Sequence, residues 1–161
     1  AGQLSYAQGV ALAGDALFVA DTFNHRIVVL NKETLEQRRV FGSLGTGDGQ
    51  FNMPRGLAVL GAELFVCDGI NHRIQVFSLD GQFARRFACK GMESPIGMAV
   101  VRGRIVVACL RGRLLVFTPA GTLLQQLTVP GSAELRCMAS DATHMYVADV
   151  MQGLHKLRLG A

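Results

Sequence analysis

Carboxylates, imidazoles and guanidiniums occur twice in one arrangement. Residues 20–27 read ADTFNHRI and residues 67–74 read CDGINHRI, so Asp-x-x-Asn-His-Arg-Ile recurs 47 positions apart. Asp21, His25, Asp68 and His72 are residue types that ligate divalent metals, and a histidine near a carboxylate is a pairing used in proton transfer. A metal would require both turns to converge on one ion within a few ångströms, so the turns must first be placed. Other reactive patterns are missing. No G-x-S-x-G elbow, H-E-x-x-H helix or phosphate loop occurs, and GTGDGQ at 45–50 is followed by no helical pattern, which makes it a connector. Cys67, Cys89, Cys109 and Cys137 are separated by 22, 20 and 28 positions, without the C-x-x-C pairs of zinc sites. They are read as reduced thiols that serve as small apolar side chains, which favours a reducing compartment such as the cytoplasm. His144 and His155 stand alone and are assigned to the surface.

The elements that carry these residues are short. A chain of 161 residues with 50% apolar and 17% charged residues has enough material for a core and too little charge for a disordered chain. Nineteen glycines against four prolines point to many tight turns, hence to strands rather than long helices. Apolar runs such as IVVACL at 105–110 are far shorter than the roughly 20 residues of a membrane helix, and no span is expected. AGQLSYAQG, where the sequence starts, has neither the basic nor the apolar region of a secretion signal. The formal charge of +4 is uneven. Residues 1–80 carry six Lys/Arg and eight Asp/Glu, and residues 81–161 carry ten and four, a swing from −2 to +6.

Internal repetition organises all of this. GVALAGDALFVAD from Gly9, GLAVLGAELFVCD from Gly56, GMAVVRGRIVVAC from Gly97 and CMASDATHMYVAD from Cys137 align without gaps, their starts 47, 41 and 40 apart. Each unit reads as four short strands rich in β-branched or aromatic residues and bounded by Gly or Asp. The third is RIVVL, RIQVF, RLLVF or LHKL, and the fourth is QRRVFG, FARRFA or LLQQLTV. No segment shows a capped helical stripe. Four strands in a unit of about 40 residues is the arithmetic of a propeller blade.

The leading Gly strand, the second strand ending in Asp, the N-H-R-I stretch and the Gly-rich FGSLGTGDGQFNMPRG together resemble the NHL-repeat family of β-propellers. The first two units match closely. The third, with CLRGRLLVF in place of the Asp and Asn-His, keeps the framework, and the fourth is looser. The resemblance implies an all-β propeller of about four blades, near residues 8–42, 54–88, 95–129 and 135–161, in one domain whose last blade lacks its outer strand. Such an open array leaves faces uncovered, so a longer chain, another subunit or a small closed ring is required; the larger ring, cut across a module, is favoured.

In that architecture both N-H-R-I stretches fall between a blade's second and third strands. Asp21 and Asp68 are expected to accept hydrogen bonds from the backbone of the turn that follows, with Asn24 and Asn71 supplying left-handed backbone and Ile27 and Ile74 facing the core. Turns of neighbouring blades fan apart, so no metal is expected. The same face would carry His25, Arg26, His72, Arg73, Arg111 and Arg113, joined by Arg55 and Arg136 at the start of innermost strands, as a partner-binding surface. Asp21, Asp48, Asp68, Glu93, Glu134 and Asp149 lie near the same end and offset this charge, and Phe23 is the one exposed-looking aromatic.

The resemblance implies a non-catalytic scaffold for protein–protein interaction. RNA binding through a basic face, known in some tripartite-motif relatives, is the alternative. A lyase or hydrolase is disfavoured, because relatives with such activity line the axis with carboxylates, Asn and His, whereas Gln8, Arg55, Ile96 and Arg136 stand there in this chain. Neither a cofactor nor a catalytic residue is expected.

Overall fold

The computed structural model describes residues 3–141 and 143–158. The first blade contains β1 (Ala7–Ala13), β2 (Ala16–Asp21), β3 (Arg26–Asn31) and β4 (Gln37–Phe41). The second contains β5 (Pro54–Leu60), β6 (Glu63–Asp68), β7 (Arg73–Ser78) and β8 (Phe83–Phe87). The third is built of β9 (Pro95–Val101), β10 (Arg104–Cys109), β11 (Arg113–Phe117) and β12 (Leu123–Thr128). Three strands make the fourth, β13 (Leu135–Ser140), β14 (His144–Asp149) and β15 (Gly153–Arg158). Every sheet is antiparallel with strands in sequence order. The one helical turn among the described residues is the 3₁₀ turn Thr22–Asn24, and none of the helices there is long and apolar enough to cross a membrane.

Strand alternation explains where the core sits. Successive side chains of a strand point to opposite faces. On β6, Leu64 and Val66 therefore pack with Phe18, Ile27 and Val29 of the first blade, whereas Phe65 and Cys67 pack with Ile105, Val107 and Cys109 of the third. A third layer joins Val106, Ala108 and Leu114 to Leu135, Met145 and Val147. The hydrophobic layers thus lie between blades, so no blade buries its apolar surface alone. For the same reason ELFVCD and RIVVAC read as nearly continuous apolar runs.

Innermost strands β1, β5, β9 and β13 lean on one another in that order, and β13 has no comparable packing onto β1 among the described residues. A glycine stands at each contact because the next backbone comes too close for any side chain. A Cβ on Gly9 would lie 2.0 Å from the Arg55 carbonyl oxygen, one on Gly56 2.7 Å from that of Ile96, and one on Gly97 1.9 Å from that of Arg136. The fourth unit has Cys137 at this place, and it is exposed.

Outer strands add a second grip. Arg39 of β4 donates to the Leu79 carbonyl at 2.8 Å, and Arg85 of β8 donates to the Pro119 carbonyl at 2.7 Å, each reaching the outer turn of the next blade. Beside them Phe41 and Phe87 fill the space left at Gly81 and Gly121, where a Cβ would approach the rings to 2.8 and 2.6 Å. In register with these arginines β12 carries Gln125, and all six of its residues are exposed.

Candidate functional site: the turn face

Turns between second and third strands share one end of the arc with the connectors that lead into innermost strands. Gly69 of the β6–β7 turn, for example, donates to the Met53 carbonyl at 3.2 Å, and Ile70 donates to that of Asn52 at 3.0 Å. Equivalent bonds link Phe23 to Ser5 (3.1 Å), Leu110 to Glu93 (3.1 Å) and Val150 to Glu134 (3.1 Å), so all four blades tie their turn to their own connector through the backbone.

Side chains of the D-x-x-N-H-R stretch strengthen that tie in the first two blades. The Asp68 carboxylate is buried and accepts from the backbone N–H of Asn52 (2.7 Å), from Asn71 Nδ2 (2.9 Å), from Arg73 Nε (2.7 Å) and from Gln75 Nε2 (3.1 Å). Asp21 does the same with Ser5 N (2.7 Å), Asn24 Nδ2 (2.9 Å) and Arg26 Nε (2.7 Å). Burial alone would raise the pKa of Asp21, but the Ser5 amide, Asn24 and Arg26 together outweigh it and hold the carboxyl below its ordinary value. In both blades the amide that reaches the carboxylate belongs to the incoming connector, not to the turn that follows. The reason is that the carboxylate points across the turn toward the chain arriving from the previous blade. Only Asp149 of the fourth blade accepts from its own following turn, through Met151 N (2.8 Å) and Gln152 N (3.1 Å).

The left-handed residue is the histidine rather than the asparagine: His25 and His72 both have φ of 53°. This conformation aims each ring at the neighbouring blade. His25 Nδ1 accepts from the Met53 N–H (3.1 Å), and His72 Nδ1 accepts from that of Ser94 (2.9 Å). The asparagines instead donate to connector carbonyls, Asn24 to Gln3 at 3.1 Å and Asn71 to Gly45 at 2.9 Å.

Arginine placement divides the predicted surface. Arg73, expected to face a partner, is only 8% exposed, and its guanidinium donates to the carbonyls of Thr46 (2.7 Å), Gly47 (2.8 Å) and Gln50 (2.9 Å) besides Asp68. Its charge is needed to close a loop of backbone oxygens around the connector. Arg26 is half-buried against Asp21, and Arg113 donates to the Gly91 carbonyl at 2.8 Å. By contrast the Arg111 side chain is 73% exposed with Glu93 at 3.1 Å, and Arg136 is partly exposed with Glu134 at 2.9 Å. Among the described residues Arg55 hydrogen-bonds only Ser94 Oγ, at 3.4 Å. Tyr6 and Phe23, both exposed, stack with centroids 4.6 Å apart and planes 9° from parallel.

Asp21 and Asp68 are each saturated by their own turn and connector, and no group of three or more His, Cys, Asp or Glu suited to a metal occurs among the described residues. All four cysteines are free, with Cys67 and Cys109 buried; burial pushes the Cys109 thiol up to about 12, so it stays protonated and inert. Gln75, Thr22 and the outer-strand arginines Arg39 and Arg85 act in the scaffold without having been singled out by the sequence. For the last pair the repeated arginines of QRRVF and FARRF were a usable signal, whereas Gln75 is matched only in function, by His155 at the same register position of the fourth unit, which meets Asp149 at 3.0 Å.

Comparison with known proteins agrees with this construction. Residues 51–77, which run from the connector through β5, β6 and β7, match the NHL repeat family. No curated protein matches the sequence. Among solved structures, the computationally designed Ika4 protein superposes with a TM-score of 0.71 at 14% identity, covering 99% of this chain and 94% of that one. The computationally designed Ika8 protein superposes with a TM-score of 0.67 at 15% identity, covering 99% of this chain and 48% of that one. Such identities speak for the fold alone. With residues 51–77 matching the NHL repeat and the other units built to the same four-strand plan, the chain is an all-β propeller whose second unit resembles that family.

Proposed function

We propose that this propeller is a non-catalytic scaffold that binds a protein partner through its turn face. A propeller of this family supports a scaffold or binding role in general; the choice of partner and face is our reading. One observation carries it. Once Arg26, Arg73, Arg113, His25 and His72 are committed to holding connectors and neighbouring blades, Arg55, Arg111 and Arg136 still stand on the same face as the exposed Tyr6–Phe23 stack. Arginine with aromatic residues on a rigid rim is the composition of protein-interface hot spots. Nucleic acid is less well served, since Glu93 and Glu134 interrupt the positive charge and the two rings already stack on each other. The same reading has the uncovered apolar side chains Val10, Leu12 and Leu154 completed by further blades or another subunit, in a cytoplasmic setting.

Selection of random peptides on the immobilised protein tests the face. Selected peptides are expected to lose about tenfold in affinity when Arg111→Glu is combined with Phe23→Ala. Arg38→Glu, at the opposite end beside Asp15, should leave binding unchanged. Peptides that ignore the turn-face substitutions, or a U8 RNA that binds more tightly and is lost with them, would overturn the proposal.

A further inference from the structure

We infer that the mouth of the axial channel is a carboxylate site for an acidic peptide, held by Arg55 with Arg136 beside it; this rests on the turn face being the protein-binding surface. Gln8, Arg55, Ile96 and Arg136 each precede the residue at which one innermost strand meets the next, so they stand at one level around the axis. Next to Arg55, which does not itself line it, a cavity of about 470 Å³ is lined by Tyr6, Gln8, Ile96, Arg136 and Met138 among others.

Arg55 differs from the other arginines of this face. Arg26, Arg73, Arg111 and Arg136 each have a carboxylate within 3.1 Å, and Arg113 has a backbone carbonyl at 2.8 Å. Among the described residues Arg55 has no ion-pair partner and one long contact, to Ser94 Oγ at 3.4 Å. Burial is the main influence on it and lowers its pKa; Glu134 works the other way, and the like charge of Arg136 lowers it again. Glu134 is already bonded to Arg136 at 2.9 Å. Two guanidiniums thus share one carboxylate, leaving one positive charge uncompensated. Three polar atoms at this level, Arg55 Nε, Arg136 Nε and Gln8 Oε1, are buried without a hydrogen-bond partner among the described residues. Unpaired charge and unpaired donors in one place are costly unless something completes them, and an oxyanion meets a guanidinium through charge-assisted bonds.

The fold makes room for this arginine. A Cβ on Gly69 would lie 3.0 Å from the Met53 carbonyl oxygen and 3.3 Å from both Cδ and Nε of Arg55, and the equivalent residue of the first blade is Thr22. A single uncompensated charge suits one carboxylate. A phosphate backbone would meet Glu93 and Glu134 on the same rim and needs a longer run of positive charge.

The probes are an amidated, fluorescein-labelled pentaglutamate peptide, its pentaglutamine counterpart and a U8 RNA, titrated by fluorescence polarisation at two salt concentrations. Pentaglutamate is expected to bind at least about tenfold more tightly than pentaglutamine, and Arg55→Gln should remove about tenfold of that affinity. Glu134→Gln should tighten binding several-fold by freeing Arg136, and Arg38→Gln should change nothing. Gly69→Ala, which crowds Arg55 and the Met53 carbonyl without removing the arginine, should weaken pentaglutamate binding in a protein whose melting is checked alongside. Equal binding of the two peptides, or indifference of pentaglutamate to both Arg55→Gln and Gly69→Ala, would overturn the site. So would U8 binding more tightly than pentaglutamate and being lost with Arg55→Gln. The two readings fail separately: library peptides that lose affinity with Arg111→Glu and Phe23→Ala but contain no acidic residue and ignore Arg55→Gln would sink the carboxylate site alone. Conversely, Arg55-dependent pentaglutamate binding beside library peptides that ignore the face would sink only the broader proposal.

Discussion

The first two blades and the last two solve one problem with different chemistry. Each blade must fasten its second-to-third-strand turn to the connector that enters it and must meet the next blade. In the first and second, a buried aspartate gathers the connector amide together with Asn and Arg side chains, and a left-handed histidine accepts from the next blade's backbone. In the third, Cys109 replaces the aspartate and the turn is one residue shorter: Cys109 pairs with Arg113, where Asp68 pairs with Arg73 across five positions. The backbone takes over there, with the Arg111 N–H donating to the Ala133 carbonyl at 2.7 Å and Val129 N–H to that of Gly112 at 2.8 Å. The fourth blade keeps Asp149, which accepts from its own loop and meets His155 at 3.0 Å. The repeated motif is therefore a reinforcement of a backbone linkage that every blade possesses, which is why half of the repeats can lose it without losing the blade.

The largest test of that comparison is Asp68→Ala. It strands Arg73 in a buried position and should cost about 4 kcal/mol in urea denaturation, whereas Asp149→Ala removes bonds local to one loop and should cost clearly less. Equal losses would mean that the motif does not distinguish the two halves. Next comes the glycine contact. Gly97→Ala would drive a Cβ against the Arg136 carbonyl and should cost about 3 kcal/mol, while Cys137→Ala, at the matching place in the fourth unit, should stay within about 0.5 kcal/mol. Comparable melting temperatures for the two variants would contradict the close approach of β9 and β13. The smallest effect is acid sensitivity. Because Asp21 has its carboxyl held below 3.8 in the folded protein, its contribution is complete above that pH and fades as pH falls through the folded value. Asp21→Asn should therefore flatten the stability profile below about pH 4 while lowering stability at neutral pH. A profile as steep as that of the unaltered protein would place the acid sensitivity elsewhere.

How much of this could be read from residues alone varies with the range of the interaction. Strands such as ELFVCD and RIQVF, the repeat offsets and the three-stranded fourth unit follow from patterns only a few residues long, where side-chain alternation and turn composition act directly. The D-x-x-N-H-R stretch could be placed between second and third strands from its pattern. Its bonds were not legible, because the amide of Asn52 reaches Asp68 from 16 positions away and Ser94 reaches His72 from 22. Arg73 and Arg111 look alike in sequence, both basic and in equivalent turns. One is buried under a connector that curls over it, and the other stands in solvent.

From its sequence by itself, then, this protein's strands and its period were determined, since β-branched runs and turn glycines constrain the backbone locally. Which charges are spent on holding the propeller and which are left to meet a partner was decided only in the tertiary structure. Whether a guanidinium finds a carboxylate, a ring of carbonyls or nothing depends on where segments far apart in the chain come to rest.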